Sequence, residues 1–512
     1  MPVVGAFLEE LLKIRKRIKL RTPVSAVVSQ EKVLRRLLHM SSHTAVGRAY
    51  DFEGLLREKE LVKNYRYRVP VFDYNKLYNA WWHRTVNGER DVTWPGRVKY
   101  FALTSGTSES ASKRVPVTSQ MLAAIRRTSL RQMLTIPDLE MPTEFYQKGI
   151  LLLGGSSTLK HNQFGYGWEG DLSGIVQKRL PVWVHRFYKP GRKIGSIPNW
   201  SEKLDAITKV AHKWDVGIVC GVPAWIQLLT QKIMEYHKVD HIHEIWPNFN
   251  IYVHGGVSFT PYRDSFGKLL GKKVHFLDTY LASEGFIAVQ NVHNKMGMQL
   301  VVDNGIFFEF IPFTDRNFDA DGQAKDNPEI LSLNEVEKDK DYALLLSTCS
   351  GAWRYLIGDT IRFKTLDDYQ LIISGRTKHF LSLVGEHLSV DNMNMAIAEV
   401  SSKLNIHINE FAVAGIPYEG FFAHKWYIGT NDFINTELLR SLIDQTICNL
   451  NDDYATERKH ALKNIIIEIV PLDKFYSFMK SKGKFGGQHK FPRVLKSNQL
   501  QDWEQFLASE KI

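Results

Sequence analysis

Cysteine is scarce in this chain: three in 512 residues, Cys220, Cys349 and Cys448, far apart and without metal-ligand spacing. That excludes a disulfide framework and a zinc ribbon, and fits a reducing, cytoplasmic setting. No apolar run approaches the ~20 residues that span a bilayer, so no membrane segment is expected. The amino-terminal stretch from Ala6 to Ile18 has helical spacing, but charges interrupt every apolar group, which is not the pattern of a secretory signal. Internal repeats and low-complexity segments are lacking too. Lysine and arginine outnumber the acids, for a net charge of +11. They are spread along the whole chain without a DNA- or RNA-binding motif, so no nucleic-acid partner is expected. Positive potential of this kind also suits an enzyme that handles nucleotides and carboxylates.

With 44% hydrophobic residues over this length, the chain is too long for one compact core, and two or more domains are expected. Strand-like runs recur at 98–103, 150–153, 216–220, 251–254 and 274–277, each ending in glycine or small polar residues. The intervals are long enough for helical crossovers, which predicts wound α/β sheets. Ligands of such sheets collect at the carboxyl ends of the strands, so 154–157, Gly221, Gly255, Gly256, Thr279 and Tyr280 are expected to rim one cleft. From about Gln299 the segments are closely spaced and β-like (301–302, 306–311, 342–346, 360–363, 369–373). They predict an antiparallel, barrel-like subdomain over 300–374. Glycine and polar residues at 374–378 mark a boundary. Beyond it, helices at 390–402 and 435–450 and strands at 411–414, 426–428 and 465–470 predict a smaller α+β domain over 375–512.

Three local motifs carry chemistry. The first, Leu103 to Pro116, is a hydroxyl-rich turn after a strand. Ser105, Thr107 and Ser108 offer donors to phosphate oxygens, Gly106 permits close backbone approach, and Lys113 adds a cation. It is not a Walker A element: the spacing is wrong, a second glycine is missing, and Arg114 stands where a magnesium-binding hydroxyl would follow. Thr118 or Ser119 is expected to cap the next helix. The second motif, Asp278-Thr279-Tyr280-Leu281-Ala282-Ser283-Glu284-Gly285, puts an aromatic ring, hydroxyls and a carboxylate at a strand end. The third, Trp353-Arg354-Tyr355-Leu356-Ile357-Gly358-Asp359, ends in a carboxylate after a glycine, which suits the two hydroxyls of a ribose. Each alone reads equally well as a polar loop, a core aromatic or a buried ion pair; their order makes the pattern. The pair His241-x-His243 before Glu244 reads as a surface turn.

Phosphate loop, Tyr-x-Ala-Ser-Glu and Arg-Tyr-x-x-Gly-Asp, in that order, resemble the acyl-adenylate-forming enzymes, and within them the Gretchen Hagen three family of acyl acid amido synthetases. That family was named for auxin-responsive plant proteins, and the chain looks more like its bacterial relatives. Supporting segments are Tyr67 to Tyr74, Gly221 to Trp225, Trp246-Pro247 with Gly255-Gly256, Phe307 to Pro312, and Gln488 to Arg493. The resemblance implies a cytoplasmic ligase that uses ATP and Mg2+ to activate a small carboxylic acid as its adenylate and pass it to an amine, that of an amino acid in that family. It also implies a large adenylate-forming domain over 1–374 and a mobile small domain over 375–512.

By the same resemblance, Ser105, Gly106, Thr107, Ser108 and Lys113 hold the phosphates. Tyr280 faces the adenine, with Gly255 and Gly256 beside it; Thr279 binds the nucleotide with it, and Ala282 and Ser283 lie close to the α-phosphate or the acyl carboxylate. Asp359 holds the ribose, Glu284 is the metal ligand and a catalytic residue, and Lys490, in a glycine-rich loop, bridges the α-phosphate and the acyl oxygen. Glu109 and Ser110 depart from the family pattern, as does Leu356 where relatives often carry arginine; Arg354 is the nearby alternative cation. His254, His275 and His387 are candidates for the base, and Arg126, Arg127 and Arg131 for the acyl carboxylate. Transfer to a thiol such as coenzyme A, and a non-catalytic nucleotide-binding protein, remain the alternatives.

Overall fold

The computed structural model describes residues 9–10, 12–13, 25–104, 113–162, 166–180, 182–256, 259, 262–293, 296–319, 322–377, 380–381, 386, 388–419, 421–451, 454–455, 458–459, 462–483 and 491–509. The phosphate stretch at 105–112 and the glycine-rich loop at 484–490 lie outside the described residues.

After a first long helix, α1 (Ala26–Ser41), strands β1 (Tyr100–Thr104) and β2 (Lys113–Val117) pair antiparallel, with Thr104 opposite Lys113. They bracket the 105–112 stretch and belong to a small four-stranded sheet. The next helix, α2 (Ser119–Met133), starts where the sequence predicts: the Thr118 hydroxyl accepts the Met121 N–H, satisfying one of the free donors of the first turn.

An 11-stranded sheet follows. Its strands are β3 (Gly149–Leu152), β4 (Tyr188–Lys189), β5 (Val216–Gly221), β6 (Ile251–Gly255), β7 (His275–Ala282), β8 (Gly285–Val289), β9 (Met298–Leu300), β10 (Ile306–Pro312), β11 (Asp341–Thr348), β12 (Tyr355–Phe363) and β13 (Gln370–Arg376). Their order is β10-β11-β12-β13-β9-β8-β7-β6-β5-β3-β4. From β4 to β7 every pairing is parallel, and from β7 to β10 every pairing is antiparallel. The antiparallel strands are thus continuous with the wound half: β9 joins β8 on one side and β13 on the other. Residues 301–302, read as a strand from their valines, instead form the turn out of β9; the Val301 N–H still reaches Ile287 O at 2.9 Å.

A separate four-stranded sheet closes the chain: β14 (Glu410–Tyr418), β15 (Phe421–Gly429), β16 (Leu462–Val470) and β17 (Val494–Leu495), in the order β16-β15-β14-β17. Helices α3 (Val390–Leu404) and α4 (Thr436–Leu450) pack their apolar stripes on it. Each is capped as its sequence suggests, Ser389 accepting from Asn392 N–H and Asn435 from Leu438 N–H. Separate apolar clusters lie under the antiparallel half, the parallel half and this last sheet, so burial, the main stabilising term, is divided among them. No helix among the described residues is long and apolar enough to cross a membrane.

Candidate active site

Strand register brings the sequence motifs together. In the parallel half, Leu152 lies beside Cys220, Gly221 beside His254, and Gly255 beside Thr279, so these strand ends share one edge of the sheet. Gly255 is required there by contact: a Cβ would sit 2.5 Å from both the carbonyl and the hydroxyl oxygen of Thr279. The Thr279 hydroxyl donates to His254 O at 2.8 Å and ties β7 to β6. Gly256 turns the chain with φ +85°, a conformation that glycine adopts without strain.

Tyr280 and Asp359, distant in sequence, meet directly. The Tyr280 phenol donates to Asp359 Oδ2 at 2.5 Å, and its ring is 5% exposed within the core under the antiparallel half. Asp359 follows Gly358, whose φ of +88° kinks β12. Its other oxygen accepts from Arg376 Nε at 2.7 Å. Arg376 closes β13 directly opposite Asp359. Burial raises the Tyr280 phenol pKa well above its usual value, with the Asp359 charge adding to it. The Asp359 charge in turn raises that of Arg376.

Glu284 sits in the β7–β8 turn and is buried. Burial pushes its carboxyl up to about 7; the Asp359 charge pushes the same way, while Arg376 and Lys113 oppose it. Lys113, at the start of β2, holds its ammonium 5.2 Å above the Tyr74 ring, and the Tyr74 hydroxyl accepts the Arg114 N–H at 2.8 Å. Lys113, Glu284, Tyr280, Asp359 and Arg376 therefore form one electrostatic cluster drawn from β2, β7, β12 and β13 and the β7–β8 turn. Ala282 and Ser283 are half-buried at the tip of that hairpin. Ser105, Gly106, Thr107, Ser108 and Lys490 lie outside the described residues, as do Glu109, Ser110 and His387.

Arg354 does not supply the cation beside Asp359. It is buried, donates from Nε to Glu309 Oε2 at 2.9 Å, and bonds the carbonyls of Arg66 and Val69. Arg362 pairs instead with Asp341. Arg376 fills the role; no local motif marks it, because its neighbour is set by strand pairing rather than by sequence spacing, and its one sequence signal is its place at the end of a strand, after Gly375.

Among the histidines, His254 is buried against the Phe259 ring, with Nδ1 3.4 Å from Asp278 Oδ1. Burial lowers the His275 pKa. His243 accepts the Gly271 N–H at Nδ1 and donates from Nε2 to Phe249 O, which makes the 241–244 stretch a structural turn. No group of three or more His, Cys, Asp or Glu side chains suited to a metal occurs among the described residues.

Residues 21–165 and 168–275 match the GH3 family N-terminal domain, 299–370 the GH3 family central domain, and 391–499 the GH3 family C-terminal domain. The chain belongs to the GH3 family. Its GH3 relatives include the indole-3-acetic acid-amido synthetase GH3.2 of Arabidopsis thaliana, 28% identical over 65% of this chain and 70% of that protein. A second, GH3.4 of the same plant, is 23% identical over 91% of this chain and 89% of that protein. Among solved structures, the GH3.15 acyl acid amido synthetase has the same fold, with a TM-score of 0.74 at 16% identity over 99% of this chain and 96% of that one. A 2-hydroxyisobutyryl-CoA ligase in its postadenylation state shares the fold more distantly, with a TM-score of 0.59 at 12% identity over 93% and 91% of the two chains.

Proposed function

We propose that this GH3 protein is an ATP-dependent acyl acid amido synthetase. It activates a small carboxylic acid as an acyl-adenylate and transfers the acyl group to an amine, that of an amino acid. The observation that carries the reading is the Tyr280–Asp359–Arg376 link at the end of the sheet, joined electrostatically to Glu284 and Lys113.

In the first half-reaction the acid's carboxylate attacks the α-phosphorus of ATP and pyrophosphate departs. Most of the work is positioning and charge. Ser105, Gly106, Thr107, Ser108 and Lys113 hold the phosphates. Asp359 accepts hydrogen bonds from the ribose, its orientation fixed by Tyr280 and Arg376, and Gly255, Gly256 and Thr279 shape the edge against which the nucleotide lies. Lys490 bridges the α-phosphate and acyl oxygen as charge grows there. Glu284 suits Mg2+: a buried carboxyl with a raised pKa gains its charged form when a divalent cation arrives, and one or two carboxylates with phosphate oxygens are enough for Mg2+. Bound there, Mg2+ would neutralise phosphate charge. Ala282 and Ser283 line the acyl end. In the second half-reaction the neutral amine attacks the acyl carbon and AMP leaves. Residues 1–374 form the adenylating unit and 375–512 the small unit that carries Lys490.

The test is acid-dependent exchange of labelled pyrophosphate into ATP, followed by mass spectrometry of products from pooled acids with amino acids and coenzyme A offered together. Amides with release of AMP are expected. Exclusive thioester formation would replace the amide reading, and ATP binding without exchange across the acid panel would replace the catalytic one.

A further inference from the structure

Away from that cluster, a cavity of about 810 Å³ opens between α1 and α2, within the size range of small-molecule sites. None of Lys113, Tyr280, Glu284, Asp359 or Arg376 lines it. Helical periodicity builds its walls: Ser29, Lys32, Arg36 and Met40 make one stripe of α1, and Gln120, Ala123, Arg127 and Arg131 one stripe of α2. The recess between them is mostly apolar, with Val33, Leu37, Trp94 and Leu300 on its surface, though Gln132, Thr135, Asn291 and Gln299 also line it.

The charged lining is one-sided. Its single acid, Asp303, is already engaged by Arg131, from Nη2 to Oδ2 at 2.6 Å. Among the described residues no carboxylate pairs with Lys32, Arg36 or Arg127. Arg127 is nevertheless held in place: its Nε donates to Asn304 Oδ1 at 2.9 Å, and the Asn304 amide donates back to Ala124 O and Thr128 Oγ1 on α2, both at 2.6 Å. Arg36, from the facing helix, and Arg127 both act on the buried thiol of Cys349, which also lines the cavity. Burial keeps that thiol up at about 12, while the two guanidinium groups pull it down. Two helices thus aim unneutralised cations at one apolar recess.

We infer that this cleft binds a small amphipathic carboxylic acid, its apolar body in the recess and its carboxylate among Lys32, Arg36 and Arg127, at a site separate from the nucleotide-facing cluster. Charge-assisted hydrogen bonds from guanidinium to carboxylate supply selectivity over neutral molecules, and apolar burial supplies affinity. The inference stands on the cleft and does not depend on the amido synthetase reading.

Calorimetric titration of the full-length protein with decanoate tests it, with decan-1-ol as the uncharged counterpart. Saturable binding is expected, about tenfold or more tighter for the acid. Arg36→Glu and Arg127→Glu, exposed changes on different helices, should each weaken it by about tenfold, Arg36→Lys should retain most of it, and Ala123→Trp should fill the recess and remove it. Unliganded melting curves confirm that each variant is folded. Decanoate binding undiminished by all three disruptive substitutions, or no saturable binding up to about 1 mM, would overturn the inference.

Discussion

Arg376 Nε lies 2.7 Å from Asp359 Oδ1, across a directly opposed pair of antiparallel strands. The contact orients a carboxylate whose other oxygen is already taken by Tyr280. Because the Arg376 side chain is 46% exposed, solvent screens the pair, and Arg376→Gln should cost less than about 1 kcal/mol of stability. Its effect on nucleotide use should be larger. Losing a hydrogen bond to a charged group, worth about 1.5–3 kcal/mol, corresponds to a drop of about 10- to 100-fold in kcat/KM for ATP. Asp359→Asn should act in the same direction, and Tyr280→Phe more weakly. Melting temperatures alongside pyrophosphate exchange decide the point: a large loss of stability with unchanged ATP kinetics would make the pair structural only.

Glu284 sets a pH dependence. Its carboxyl stands at about 7 in the fold against 4.5 ordinarily, chiefly because it is buried and secondarily because Asp359 is near. Between those values the folded protein holds a proton that the unfolded chain has released. Stability from this group is therefore greatest below pH 4.5 and is lost as pH rises towards 7, by up to about 3 kcal/mol. Glu284→Gln removes the titration. The variant should gain relative to the parent when urea unfolding at pH 8 is compared with pH 5, and a difference that stays constant across that range would contradict the assignment.

Which parts of this could be read in the sequence follows from what is local. The Thr118 cap, the strand runs of the parallel half and the glycine before Asp359 are decided within a few residues, and their physical requirements are visible there. The motifs that hold Tyr280 and Asp359 are local too, one following a strand-like run and the other a glycine, but the hydrogen bond between the two residues is not legible in either motif. Arg376 depends on the register of β12 and β13, which no short motif reports. Arg354, within the third motif, is the natural alternative for a cation, and the fold sends it to Glu309. The junction of β9 with both β8 and β13, which makes one sheet of two patterns, is likewise a long-range fact, as is the convergence of Arg36 and Arg127.

That Arg354–Glu309 pair gives a stability prediction. Both side chains are almost fully buried, at 3% and 1% exposure, and Glu309 also accepts from Arg66 Nε at 3.0 Å. Removing the acid alone leaves a buried guanidinium without a counter-charge, so Glu309→Leu should cost about 3–5 kcal/mol. Arg66 is more exposed and can turn to water. The double variant Glu309→Leu/Arg354→Met should recover a substantial part of the loss, and unfolding measurements on the full mutant cycle read the coupling. Simple additivity of the two single losses would show that the pair is not the interaction that matters.

A polar bridge joins the wound half to the last sheet. Tyr262, 1% exposed, donates its hydroxyl to Glu410 Oε1 at 3.0 Å, and Arg493 Nη1 holds Glu410 Oε2 at 2.6 Å. Arg493 also donates to Phe411 O at 2.9 Å and stacks over the Phe411 ring at 4.4 Å. Asn409 and Ser265 meet weakly alongside, at 3.4 Å. Tyr262→Phe removes one hydroxyl and leaves the Glu410–Arg493 pair intact, so about 1 kcal/mol of stability should be lost. If residues 375–512 reorient between adenylation and acyl transfer, as the family resemblance implies, weakening this bridge should favour departure from the arrangement seen here. Amide formation should then change relative to pyrophosphate exchange, because a step limited by reorientation responds to the bridge and the chemical step does not. Single-turnover measurement of each half-reaction separates the two; equal change in both would mean that Tyr262 serves only to hold the fold.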